Sequence, residues 1–223
     1  MNRPVALVTG ASRGIGHQIA LELGSTHHVL VGGRDAAAVG KVVDLLPSAV
    51  PFVADVTDEA AIASLCATIG SLDVLVHSAG QVAFGPLAKS STQQWRALLE
   101  VNVTAPATLT RMLLPALRAA HGLVVFLNSG AGLRAAAGFS AYSASKFALT
   151  ALADALRAEE HGQVRVTSVH PGRVATDMQV ELTALEDQPY RPAAYLDPTD
   201  VARAVRLAVD LAPGVSLETI RLN

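Results

Sequence analysis

Three side chains in the stretch Ser129 to Lys146, SGAGLRAAAGFSAYSASK, have the types and spacing that proton transfer requires. A serine hydroxyl at position 129 is followed thirteen residues on by Tyr142, and four residues later by Lys146. If the chain after Phe139 is helical, Tyr142 and Lys146 lie at i and i+4 and share one face. An ammonium held beside a phenol favours the phenolate, lowering a pKa that is about 10 when unperturbed. Tyr142 then becomes a proton donor or acceptor near neutral pH, and Ser129 a hydroxyl that holds the same substrate oxygen. The competing reading is an exposed helix pair with a solvated lysine. The rest of the chain has to decide between them.

The elements that would carry this stretch alternate from end to end. Strands are expected at Pro4–Val8, His28–Val31, Val50–Ala54, Val74–His77, Gly122–Asn128, Arg165–Val169 and Leu217–Leu222. Between them, Gly14–Leu23, Asp35–Leu46, Asp58–Ile69, Ser91–Ala120, Ala141–His161 and Thr199–Leu211 read at the helical period. Near-continuous apolar strands alternating with helices predict a parallel sheet buried on both faces, joined by right-handed crossovers. The predicted fold is a single α/β domain over residues 1–223, a doubly wound parallel sheet of seven strands with helices on both faces. Asp35, Asp58 and Asp200 are candidate helix caps. Pro106 and Pro115 should bend or divide the Ser91–Ala120 segment. Asp177–Pro198, with two tyrosines and several prolines, reads as a long loop at the ligand-binding edge of the sheet and is expected to act as a substrate lid.

Composition narrows the class. A formal net charge of -2 with both signs interspersed leaves no electrostatic footprint for nucleic acid or an anionic membrane. No apolar run is long and uncharged enough to span a bilayer, and no N-terminal signal pattern is visible, so a cytoplasmic location is expected. The one cysteine, Cys66, lies in an apolar run and reads as a core residue rather than a nucleophile. No metal-ligand cluster is expected.

Directly after the first strand comes Thr9-Gly10-Ala11-Ser12-Arg13-Gly14-Ile15-Gly16, then a helix. Glycines at such a junction permit the tight turn and let backbone N–H groups approach a pyrophosphate at the helix N-terminus. No Gly-Lys-Ser/Thr is present, which argues against a nucleoside triphosphatase. About 20 residues on, where an NAD enzyme carries a carboxylate for the ribose 2′-hydroxyl, this chain has Gly33 and Arg34. Arg34 and Arg13 could both meet a 2′-phosphate, so NADP(H) is expected in preference to NAD(H). Asp35 competes as an NAD-type acid but reads better as a helix cap. Asp55, at the end of the third strand, could bond the adenine amino group or cap a turn.

Taken in order, TGASRGIG at Thr9–Gly16, Asp55-Val56, Ala79-Gly80, Asn102, Ser129, Tyr142-x-x-x-Lys146, and Pro171-Gly172 with Thr176 form a pattern. That pattern resembles the short-chain dehydrogenase/reductase family in its compact single-domain form, over essentially the whole chain. The resemblance implies a Rossmann fold and an NADP(H)-dependent oxidoreductase interconverting a ketone or aldehyde with an alcohol. It assigns Tyr142 as the acid–base residue and Lys146 as the group that lowers its pKa and binds the nicotinamide ribose. Ser129 would orient the carbonyl, and Asn102 would hold a water linking Lys146 to solvent. An alternative for Asn102 is a helix-interior polar group bonding backbone. The cofactor would lie on Gly10, Ser12, Arg13, Gly14, Ile15 and Gly16, on Arg34, Asp55, Val56, Ala79 and Gly80, and on Tyr142 and Lys146. Pro171, Gly172 and Thr176 would fix its carboxamide.

Two departures stand out. His77-Ser78 replaces the usual Asn-Asn before Ala79-Gly80, and a catalytic role for His77 is not expected. The sequence also closes at LETIRLN without the family's glycine-rich tail, from which a more open substrate site is expected. Arg173 could bind a substrate anion or be surface charge. Val82, Phe84, Leu133, Phe139, Met178, Tyr190 and Tyr195 are expected around the carbonyl, suggesting a hydrophobic or aromatic substrate. Apolar residues on more than one face of the Ser91–Ala120 and Ala141–His161 helices predict a homodimer or homotetramer. Two other functional readings remain: a non-catalytic NADP-binding regulator, and a lyase, epimerase or dehydratase built on the same Tyr–Lys pair.

Overall fold

A computed structural model describes residues 3–212 and 214–223. Seven parallel strands form one sheet: β1 Val5–Val8, β2 His28–Gly33, β3 Ala49–Val53, β4 Val74–His77, β5 Leu123–Leu127, β6 Arg165–Pro171 and β7 Thr219–Leu222, in the order β3-β2-β1-β4-β5-β6-β7. The order reverses between β1 and β4, which opens a crevice at their carboxyl ends. Strand alternation sends Ala6, Val8, Val74, Val76, Val125 and Leu127 to one face, and Leu7, Leu75, Val124 and Phe126 to the other.

Helices α1 Gly14–Gly24, α2 Ala36–Val43 and α8 Pro198–Val209 cover the first face. The second is covered by α3 Glu59–Cys66, α5 Ala105–Ala120 and α6 Ser140–Glu159. Their buried residues repeat at three and four positions, as Val201, Ala202, Val205 and Ala208 do along α8. Cys66 packs inside the second core, where burial pushes its thiol up to about 11, so it stays a neutral core residue. Among the described residues no helix is long and apolar enough to cross a membrane.

The expected caps at Asp35 and Asp58 are present. Asp35 accepts hydrogen bonds from the Ala37 and Ala38 N–H groups at 2.9 and 3.2 Å, and Asp58 from Ala61 N at 3.0 Å. Asp200 does not cap the last helix. Asp197 does, accepting from Thr199 N at 2.7 Å with Pro198 in the first helical position. The Ser91–Ala120 segment is divided as expected, though not at its prolines: α4 Thr92–Leu99 leads into a π-turn, Glu100–Thr104, and then α5. Pro106 sits in the first turn of α5, directly after the π-turn, and the helix runs on through Pro115.

The expectation of a loop over Asp177–Pro198 is corrected. Asp177–Leu185 forms a helix, α7, and Pro192–Ala194 a single 3-10 turn. The buried face of α7 is Gln179, Leu182 and Thr183, two of them polar, so its helical period carries little hydrophobic signal.

Candidate active site

The crevice opens into a cleft of about 500 Å³ that runs from the β2–β3 edge, past the α1 N-terminus, to the Ser129–Lys146 stretch. At its centre the turn after β1 is built by glycine. Gly10 has φ +63°, and a Cβ there would lie 2.8 Å from both the N and Cα of Ala79, so no side chain fits. Gly14 also takes positive φ, at +60°. Arg13 precedes α1 with extended backbone and no side-chain cap, which leaves the first N–H groups of the helix facing the cleft for an anion. Thr9 fastens this turn to the one after β4: its hydroxyl accepts from Ser78 N and Ala79 N, both at 3.1 Å.

At the β2–β3 end Arg34 is exposed, with Nη1 3.6 Å from Oδ2 of Asp55. The other Asp55 oxygen accepts from Thr57 N at 2.9 Å and Thr57 Oγ1 at 2.7 Å. Asp55 therefore caps a turn, and the Thr57 amide bond, more than Arg34, holds its carboxyl below the usual range. Asp35 is committed to capping α2, and Arg34 is the exposed charge at this end of the cleft. Arg13 lies on the same wall, 3.9 Å from Asp177. Gly10, Ser12, Gly14, Ile15, Gly16, Val56, Ala79, Gly80, Pro171, Gly172 and Thr176 also line the cleft, so all the expected cofactor residues come together. A glycine-permitted turn and a free helix N-terminus fit a nicotinamide dinucleotide.

At the opposite end α6 places Tyr142 and Lys146 one turn apart, with Nζ 5.9 Å from the phenol ring centroid. Lys146 is 5% exposed and donates to the Leu127 carbonyl at 2.9 Å. Burial without a carboxylate drives its pKa down to about 8. The expected depression of the Tyr142 pKa is not found. Burial raises it, and the facing Ser129 hydroxyl only partly offsets that. Lys146 spends one donor on Leu127 O while its ammonium stays over the phenol ring.

Ser129 follows β5 on a turn held by Asn128, whose Oδ1 accepts from Ser129 N at 2.9 Å while Nδ2 donates to Thr150 at 2.9 Å. His170 braces the same turn at the Ser129 carbonyl, 3.0 Å away. Asn102 lies outside the cleft wall. It is 1% exposed, accepts from Gln81 N at 2.8 Å, and donates to Gln81 O at 2.9 Å and Ser145 Oγ at 3.0 Å. Its side chain thus follows the backbone-bonding alternative, tying the turn after β4 to α6. The π-turn sets its position.

Thr9, Asn128 and Ser145 were not foreseen as site residues. The available signal was a short polar group at the end of an apolar strand, or one turn from a reactive residue. His77 lies on the α5 side, shares a 2.8 Å hydrogen bond with Thr110, stacks on Phe126, and is driven down to about 3 by burial, so it stays neutral.

Of the residues expected around the carbonyl, Val82, Phe139 and Met178 line the main cleft. Phe84 and Tyr195 line a second cavity of about 510 Å³ beside it. Leu133 and Tyr190 line neither. Arg173, for which two roles were open, is paired bidentately with Glu186 at 2.6 Å and 2.6 Å.

This sheet order, with a glycine-built anion cradle at its switch point, defines a dinucleotide-binding Rossmann domain that presents a Ser–Tyr–Lys group. The short chain dehydrogenase family model matches residues 4–187, and the chain belongs to that family. It is 34% identical over 234 residues to the glycine betaine reductase ATRR of Emericella nidulans, covering 98% of this chain but only 18% of that protein. It is 35% identical over 232 residues to the short-chain type dehydrogenase/reductase y4eK of Sinorhizobium fredii, with 100% and 92% covered. Among solved structures, the alcohol dehydrogenase of the archaeon Thermococcus sibiricus complexed with 5-hydroxy-NADP superposes with a TM-score of 0.89. It is 27% identical, with 98% and 95% of the two chains covered.

Proposed function

We propose that this oxidoreductase interconverts a ketone or aldehyde with an alcohol, using NADP(H) in preference to NAD(H), with Tyr142 as its acid–base residue. The observation that carries the reading is the cleft itself: one continuous wall joins the anion cradle and Arg34 to Ser129, Tyr142 and Lys146. The bound nicotinamide supplies the hydride in reduction, or takes it up in oxidation. Ser129 donates to the substrate oxygen and orients it. Tyr142 releases its proton to that oxygen in reduction and recovers it in oxidation. Lys146, with a pKa of about 8, carries its charge at neutral pH and stabilises the tyrosinate left behind. Asn102, Asn128 and Ser145 are positioning residues that hold this geometry.

Loss of NADPH absorbance with a panel of ketones and aldehydes tests the activity, and no consumption by an enzyme that binds NADPH would overturn it. The NADP(H) preference rests on Arg34 and Arg13 and on the commitment of Asp35 to α2. The 5-hydroxy-NADP in the Thermococcus sibiricus enzyme is consistent with it. Arg34→Glu should lower the ratio of NADPH to NADH affinity by about tenfold or more, since it replaces a charge-assisted contact by repulsion. An unchanged ratio by fluorescence titration would remove Arg34 from the site.

The reading extends to a homodimer or homotetramer. Phe147 on α6 and Leu99 on α4 are 45% and 37% exposed on helices that pack together, which suits a helical interface. Light scattering at micromolar concentration should give at least a dimer, and a monomer would sink the assignment. A cytoplasmic location is proposed from the lone, buried thiol and is checked by cell fractionation.

A further inference from the structure

The cleft wall holds five cationic side chains, Arg13, Arg34, Arg134, Lys146 and Arg173, against only two carboxylates, Asp55 and Asp177. Four of the five each have a polar partner within 4 Å. Arg34 faces Asp55 at 3.6 Å, Arg13 faces Asp177 at 3.9 Å, Arg173 holds Glu186 through two bonds of 2.6 Å, and Lys146 donates to Leu127 O at 2.9 Å. Arg134 is different. Among the described residues its guanidinium has neither an ion pair nor a hydrogen bond, although it lines the same cavity.

Its place in the chain matters as much as its charge. Arg134 is an exposed residue on the short connection between Ser129 and the start of α6, which carries Tyr142. That connection is not slack. Arg134 N donates to the Gly130 carbonyl at 3.0 Å and Leu133 N to the same carbonyl at 3.1 Å. A Cβ on Gly132 would lie 2.8 Å from Lys146 O, so the turn sits directly on α6. The base of the arginine is therefore held relative to Ser129 and Lys146, while its head is free. The same cavity wall includes the apolar Val82, Phe139 and Met178. A mostly apolar pocket with one free, planar, always-charged group is built to orient a substrate through a bidentate anion contact.

We infer that the substrate carries a carboxylate, that Arg134 binds it, and that the enzyme acts on an oxo acid and the corresponding hydroxy acid. This rests on the oxidoreductase reading above and deepens it. It also revises the expectation of a purely hydrophobic or aromatic substrate. Arg173 cannot serve instead, since Glu186 already neutralises it.

The test compares α-, β- and γ-oxo acids with their methyl esters, using NADPH and wild-type, Arg134→Ala and Arg134→Lys enzymes at neutral pH. The wild type should prefer at least one acid over its own ester in kcat/KM by about tenfold or more, as expected for a charge-assisted bidentate contact. In Arg134→Ala that acid-to-ester ratio should collapse by about tenfold to a hundredfold, mainly through KM, because the contact is made in ground and transition states alike. Arg134→Lys should recover part of the ratio, having the charge without the fork. An acid-to-ester ratio equal in wild type and Arg134→Ala overturns the inference and leaves the reductase standing. So does reduction of neutral ketones with no acid turned over. No turnover of any carbonyl compound by an enzyme that binds NADPH is the failure of the oxidoreductase reading itself, and this inference falls with it.

Discussion

Tyr142→Phe should lower carbonyl reduction by about 10²- to 10⁴-fold, the range for removing a positioned general acid. Burial raises the Tyr142 pKa, so at neutral pH the phenol keeps its proton. That is the form reduction consumes. Reduction by the wild type should therefore be insensitive to the phenol's ionisation at neutral pH, whereas alcohol oxidation, which needs the tyrosinate, should speed up as pH rises. Phenylalanine removes both behaviours together, since the ring stays and only the oxygen is lost. NADPH affinity should change little by comparison, because the phosphate contacts lie at the other end of the cleft. Single-turnover rates in both directions, measured across pH, check this. A mutant that keeps more than about a tenth of the reduction rate, or that keeps the pH-dependent oxidation, would show that another group moves the proton.

The direction of that shift was not readable from the i, i+4 spacing. Spacing correctly placed Tyr142 and Lys146 on one helix face, but the sign of a pKa shift depends on what else the ammonium bonds and how deep the phenol lies. Both are tertiary facts. The same division runs through the molecule. The β1–α1 turn was legible because Gly10 and Gly14 carry backbone conformations that other residues resist. Asp35 and Asp58 were legible as caps because a cap acts within three residues. Helix α7 was missed because its buried face is Gln179, Leu182 and Thr183, where burial is decided by the cleft and not by apolarity. The cap of α8 went to Asp197 rather than Asp200 because Pro198 begins the helix, and only the residue before it is still extended. Asn102 could be singled out by type, but the π-turn that aims it into the Gln81 backbone leaves no pattern in EVNVT. Arg134 could be set apart only once the other four cations of the cleft were seen to have partners.

Lys146→Met should abolish most of the activity without destabilising the unliganded fold at neutral pH. Lys146 is fully enclosed, with one hydrogen bond to Leu127 O and no carboxylate partner. Its pKa falls from 10.5 to about 8, so at pH 7 the folded protein carries a charge it binds less well than the unfolded chain does, a cost on the order of 3 kcal/mol. Methionine has similar bulk and no charge, so it removes that cost. It also leaves Leu127 O without its donor, which costs about 1–3 kcal/mol. The two effects nearly cancel, and the melting temperature at pH 7 should be unchanged or slightly higher. The sign of the pH dependence follows from the lowered pKa. Between about pH 8 and 10.5 the unfolded wild type holds more protons than the folded form, so this lysine's contribution to stability improves as pH rises. Melting curves at pH 7 and pH 10 should therefore shift in favour of the wild type relative to Lys146→Met at the higher pH. A mutant that melts well below the wild type at pH 7, with no such crossing, would mean that Lys146 is held as a structural cation rather than kept, at a cost to stability, for its chemistry.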